Sequence, residues 1–206
     1  MPTAREQILA DIRRSLPVDA PLPELDGPWT RYDNPRETFF EILRTVGGVG
    51  KRVGAPNELR QEIERVIADV GASRIASIVP EAHPGNINVE AIDDPHQLAD
   101  VDLAIVPGEL AVAENGAVWI SQTAPAQRVL YFLSQHVVFI VPADRVVNNM
   151  HEAYEWHHRQ AGEGRQPFAE PRFGTFVSGP SKTADIEQAL VIGAHGARSL
   201  HVFLVG

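Results

Sequence analysis

Apolar residues recur along this chain at two spacings, and the spacings divide it into elements. In residues 57–70, Leu59, Ile63, Val66, Ile67 and Val70 share one face at the 3.6-residue period, and Gly71 follows as a stop. That predicts an amphipathic helix. A second apolar face is drawn by Phe39, Phe40, Leu43 and Val46; Asn34 and Pro35 suit its N-cap and first helical position, with Glu37 at N3 and Gly47-Gly48 as its end. Short apolar runs at 74–79, 88–92, 102–106, 117–121, 136–141, 175–178 and 200–205 predict strands. Between them lie a short helix at 94–100, a long one at 143–160 and a last one at 183–192. Residues 162–172 are polar and rich in Pro and Gly, which predicts a mobile loop. Strands alternating with helices indicate an α/β fold with a mostly parallel sheet covered on both faces. The stretch 103–142 is the exception, with strands separated by little helix, so it predicts a mixed sheet or hairpin excursion.

The chain's start reads differently. Thr3 and Glu6 have capping-box spacing, and Ile8, Ile12 and Leu16 form a narrow stripe. Pro17, Pro21, Pro23 and Pro28 then require extended backbone. Residues 1–30 are therefore expected to be an arm, folded over its own domain or exchanged with a partner subunit, and residues 31–206 one α/β domain. No pattern fixes the oligomeric state.

Composition removes several function classes. Lys plus Arg number 18 and Asp plus Glu 27, a net charge of −9. Such a chain is a poor match for the phosphate backbone of nucleic acid and for anionic membrane surfaces, although it leaves room for a local anion site. There are no cysteines, so disulfides, thiolate metal sites and a cysteine nucleophile are excluded. The start has no apolar signal core, and the longest apolar stretch, 129–142, is broken by Ser134, Gln135 and His136. Neither secretion nor membrane insertion is expected, and the cytoplasm is the expected location.

Three segments could carry chemistry. In Gly179-Pro180-Ser181-Lys182-Thr183-Ala184-Asp185-Ile186-Glu187, a predicted strand ends at a Gly-Pro turn and a helix begins. Free N–H groups there, with the Ser181 and Thr183 hydroxyls and the Lys182 charge, could hold an anion; the same residues also suit plain helix capping. Glu114 lies between apolar runs and before Asn115-Gly116. It is either a turn residue or a half-buried carboxylate suited to acid–base or nucleophilic work. His195, in Gly193-Ala194-His195-Gly196, is either a turn residue or a site member. His151, Glu155 and His158 share a helical face at i, i+4, i+7, but without an H-E-x-x-H motif they read as a solvated face, and no metal is expected.

The 179–187 run, the Gly193–Gly196 turn and the closing strand together resemble the end of the lactate-utilisation protein C family (LutC/YkgG type, the LUD domain). That family reads G-P-S-[RK]-T-A-D-I-E and then G-x-H-G-P. Ala113-Glu114-Asn115-Gly116 is similar to the family's A-E-T-G-[ST], and the likeness spans residues 37–206. The chain departs from the pattern at Asn115, where Thr is usual, and at Ala197, where Pro is usual. The resemblance implies a three-layer NagB/RpiA/CoA-transferase-like fold and a part in oxidising L-lactate to pyruvate with iron–sulfur partner proteins. Without cysteines, the clusters would sit on those partners, and the chain needs no cofactor of its own. The resemblance assigns the C protein no catalytic step of its own, and an assembly role is compatible with it. A site is expected where Glu114 and the 179–185 loop meet, with Glu114 and His195 as catalytic groups. Gly116, Gly179, Ser181, Lys182, Thr183 and Asp185 would hold a small carboxylate or phosphate. Glu114-Asn115-Gly116 also resembles the E-N-G element of class I CoA transferases, whose Glu attacks a thioester. Two alternatives therefore stand beside the first: an acyl or CoA transferase with Glu114 as nucleophile, and a small-anion-binding protein.

Overall fold

The computed structural model describes residues 3–15, 24, 27–122, 125–162, 173–184 and 190–206. Thr3 opens α1 (Ala4–Ser15) by reciprocal capping: Glu6 accepts from the Thr3 N–H at 2.7 Å, and Thr3 Oγ1 accepts from the Glu6 N–H at 3.3 Å. None of α1 is buried, and Ile8 and Ile12 stay exposed. Asn34 caps α2 (Pro35–Thr45), accepting from the Glu37 N–H, with Pro35 at the start of the helix where no N–H is missed. β1 (Val49–Val53) and α3 (Pro56–Val70) follow, and α3 ends on Gly71 at φ 67°. The order continues β2 (Ile75–Ser77), β3 (Leu103–Pro107), β4 (Leu110–Val112), β5 (Ala117–Gln122), α4 (Pro125–Leu133), β6 (His136–Pro142), β7 (Val146–Val147) and α5 (Met150–Gly162). It closes with β8 (Phe173–Ser178), β9 (Lys182–Thr183), β10 (Val191–Ile192) and β11 (Ser199–Val205).

Five strands form a parallel sheet in the order β1-β11-β6-β3-β2. The period-2 rule sorts its side chains. Leu103, Ile105, Val138 and Phe203 point to one face and pack with Leu59, Ile63 and Val66 of α3. Each such α3 side chain contributes about 1.5–3 kcal/mol by leaving water. Ala104, Val106, Val137, Phe139, Leu200 and Val202 point to the other face, where they meet Phe39 and Leu43 of α2, Leu130 of α4 and Val118 of β5. The excursion expected within 103–142 supplies β4 and β5. They join β7 and β8 in a second, mixed sheet ordered β7-β4-β5-β8. Its outer face, with Leu110, Val112 and Trp119, packs against Ala153 of α5. The result is mixed α/β with a mostly parallel central sheet, as the pattern required.

Four expectations about elements are corrected. Residues 88–92 are not a strand: Val89–Ala91 is a 3-10 turn, and Val89 alone among its residues is buried. The short helix at 94–100 is a 3-10 turn at Pro95–Leu98, capped by Asp94. The long helix begins at Met150, because 146–147 is spent as β7 beside β4. The helix expected over 183–192 is absent at both described ends. Thr183 pairs with Val191 and Lys182 with Ile192 in an antiparallel ladder. Leu190, Val191 and Ile192 are 63, 41 and 51 % exposed, so the apolar spacing there does not mark a buried helical face. Leu16, the loop expected at 162–172 for residues 163–172, and residues 185–189, including Asp185 and Glu187, lie outside the described residues.

Candidate functional site

The pairing of β5 with β8 brings the candidate segments together. Ala117 sits opposite Ser178, so the 113–116 turn and the run from Gly179 leave the second sheet at one edge. Ser178 Oγ donates to the Asn115 carbonyl at 2.6 Å. Both segments lie against the end of α2, and glycine is needed for that approach. A Cβ on Gly116 (φ 63°) would fall 2.9 Å from the Leu43 nitrogen, and one on Gly179 (φ 71°) only 2.4 Å from the Val46 oxygen. The contacts of Gly116 and Gly179 are thus with α2.

Glu114 also faces structure. One of its carboxylate oxygens accepts from the Met150 N–H at 2.7 Å, at the first residue of α5, and its own N–H donates to the Asn148 carbonyl at 3.0 Å. A carboxylate on an orphan helix N–H is stabilised by that hydrogen bond and by the helix dipole. Asn149 Oδ1 accepts from the Glu152 N–H, and Glu152 accepts from the Asn148 N–H in return. The end of the N-terminal segment is fastened to the same place. Asn149 donates to the Thr30 carbonyl, Asn148 Oδ1 accepts from the Tyr32 N–H, and Trp29 stacks on His151 with ring centres 3.5 Å apart. His151 is thereby engaged with an indole. Among the described residues, no group of three or more His, Asp or Glu side chains is placed to hold a metal ion.

The His195 turn returns to the 179–181 run. Because β9 and β10 form a hairpin, the Ser181 N–H donates to the Ala197 carbonyl at 2.8 Å, and the Gly193 N–H donates to the Ser181 carbonyl at 2.9 Å. Gly196 lets the two runs touch: a Cβ there would lie 3.1 Å from the Ser181 Cβ. A cavity of about 290 Å³ opens beside them, with Ser181, Gly179 and His195 in its wall, β8 on one side and Tyr131 and Phe132 of α4 on another. The structure thus gathers Gly179, Ser181 and His195 at one cavity. It leaves Glu114 on α5 and Gly116 on α2. Lys182 is exposed and Thr183 half-buried in β9, and neither lines the cavity. The helix N-terminus on which the anion reading leaned is not formed at Ser181 or Thr183.

Tyr131 is the cavity residue that the sequence did not single out. It is 4 % exposed, and its hydroxyl has no hydrogen-bond partner among the described residues. Burial pushes its phenol up to about 12, partly offset by the Arg128 charge. A larger depression, about 500 Å³, lies along residues 77–90, with Glu90 its only titratable lining group among the described residues. It is the weaker candidate, since the Asn86 amide in its wall is already spent on the Ile75 N–H and the Ser73 carbonyl.

Comparison with known proteins fits this architecture. The family model described as LUD domain matches residues 36–205. The chain belongs to the LUD domain family. Lactate utilization protein C of Geobacillus thermodenitrificans is 34% identical over 112 residues, covering 54% of this chain and 43% of that protein. Its namesake in Geobacillus sp. WCH70 is 29% identical over 170 residues, 82% of this chain and 58% of that protein. The chain spans about half the length of the curated relatives it matches. The crystal structure of a DUF162 family protein from Deinococcus radiodurans superposes with a TM-score of 0.57 at 19% identity, covering 84% of this chain and 96% of that one, which shows a shared fold. Among the described residues, no helix is long and apolar enough to cross a membrane.

Proposed function

We propose that this LUD domain chain is the cluster-free component of a cytoplasmic system that oxidises L-lactate to pyruvate with iron–sulfur partner proteins. The observation that carries the reading is the LUD domain match over 36–205, together with relatives named lactate utilization protein C. Oxidising L-lactate to pyruvate removes two electrons and two protons. A chain without cysteine has no thiolates to ligate a cluster, so the electrons leave through partners. In this reading the cavity at Ser181 and His195 handles a small acid, and the 113–116 turn organises the site's edge.

The test is purification of the tagged full chain from its own host. The expected result is co-purification of proteins that carry iron and acid-labile sulfide, in a fraction that reduces a dye when L-lactate is added. A chain that purifies without iron, or an iron-bearing fraction indifferent to L-lactate, would contradict the proposal.

A further inference from the structure

The first helix and the depression beside β2 have complementary surfaces. In α1, Ile8, Leu9 and Ile12 lie on one face, and Arg5 shares that face one turn earlier. Arg13 borders it one turn after Leu9. Ile8 and Ile12 are 59 and 52 % exposed, and no residue of the helix is buried. A helix of 12 residues is marginal in water unless a surface covers its apolar face. Within α1, Asp11 pairs with Arg14 at 3.3 Å and Glu6 accepts from the Thr3 N–H, which leaves Arg5 and Arg13 without an ion pair among the described residues. The helix therefore presents an apolar stripe with two cations beside it. It also lies outside residues 36–205, the span of the LUD domain match.

The depression along residues 77–90, about 500 Å³, matches that stripe in shape and opposes it in charge. Ile78, Pro80, Pro84, Ile87 and Val89 give it apolar walls, and Glu90 stands exposed among them. Glu81, next to Pro80, and Asp93, just past Glu90, are exposed as well. Residues 75–127 hold eight Asp or Glu and no Lys or Arg, so nearly all of the net charge of −9 belongs to this part of the chain. A surface so one-sided in charge attracts a cationic partner.

An amphipathic helix fills an apolar groove with anchors at i, i+3, i+4 and i+7, and Arg5, Ile8, Leu9 and Ile12 have that spacing. No residue of α1 lines the groove of its own chain. The far end of the arm is held elsewhere, since Trp29, Thr30 and Tyr32 are fastened at the start of α5, against the second sheet rather than beside β2. A second copy carries the same helix and the same groove, so reciprocal exchange covers both apolar surfaces at once and closes as a two-fold dimer. We infer that α1 of one copy docks in the 77–90 groove of a second copy, with Ile8, Leu9 and Ile12 against the apolar wall and Arg5 facing Glu90.

The experiment is sedimentation velocity on the full chain over a range of concentrations, at low and high salt, with variants run in parallel. The wild type should sediment as a dimer that salt weakens. Ile8→Ser combined with Ile12→Ser should weaken the dimer about tenfold or more, because two apolar side chains no longer leave water. Arg5→Glu and Glu90→Arg should each weaken it about threefold or more. Together they should restore it, since opposite charges face one another again. All four substituted side chains are exposed, so the variants should keep the wild-type circular dichroism. A wild type that stays monomeric at every concentration would overturn the inference, as would a dimer indifferent to the loss of both isoleucines. A dimer that needs those isoleucines but not Glu90, with no recovery in the charge-exchanged protein, would put the helix on another surface and overturn it as well.

Discussion

Replacing Glu114 by Ala separates a carboxylate that holds the fold from one kept free for acyl transfer. The structure places one carboxylate oxygen 2.7 Å from the Met150 nitrogen at the start of α5. A hydrogen bond to a charged acceptor contributes about 1.5–3 kcal/mol, and a carboxylate at a helix N-terminus adds about 0.3–1 kcal/mol. Glu114 is half-buried, so the lower part of that range applies, and Glu114→Ala should cost about 2 kcal/mol. For a domain of this size each kcal/mol moves Tm by about 2–4 °C, which gives a drop of about 4–8 °C. Glu114→Gln keeps an acceptor and loses the charge, so it should stay within about 1 kcal/mol of the wild type. Urea unfolding of the three proteins, read by the Trp fluorescence of the second sheet, measures both differences. If Glu114→Ala unfolds at the wild-type midpoint, the carboxylate is not committed to α5, and the nucleophile reading gains what the capping account loses.

Other outcomes follow from the same coordinates. Gly174→Ala should destabilise by about 1–3 kcal/mol in urea unfolding, because its Cβ would fall 2.1 Å from the Trp119 ring, which is itself buried. Burial lowers the His157 imidazole to about 4, so the folded state binds fewer protons than the unfolded one between pH 6.5 and about 4. Stability should therefore fall as pH drops through that window, and His157→Leu should flatten this part of the curve. Asp102 shows the carboxylate case. One of its oxygens accepts from the Arg74 N–H, the Ser73 N–H and Ser73 Oγ, each at 2.8 Å, and these bonds lower its pKa. Its contribution is present above about pH 4 and lost below, so Asp102→Asn should destabilise at pH 7 and show a smaller further loss in acid.

The legibility of each element follows from where its information lies. α2 and α3 were readable because their caps and buried faces are local: Asn34, Pro35 and Gly71 bound periods that the core then uses. β1 was hidden because it is an edge strand whose only fully buried residue is Val53; Gly50 replaces a side chain where Phe40 packs. α4 was lost within the apolar stretch 129–142, since a nine-residue helix running into β6 shows little period of its own. The β9–β10 hairpin was misread because Thr183, Asp185 and Glu187 mimic a helix start. What opposes a helix is tertiary: Ser181 and Gly193 bond one another, and Leu190 to Ile192 have no core to face. Tyr131 had no sequence signal at all, because one hydroxyl in an apolar run becomes informative only when its burial and missing partner are known.

Growth tests the account most directly. A strain lacking this gene should fail on L-lactate as sole carbon source, grow on pyruvate, and recover on L-lactate when the intact gene is restored. Normal growth of the deletion strain on L-lactate, or equal failure on pyruvate, would contradict the assignment of this chain to the oxidation of L-lactate.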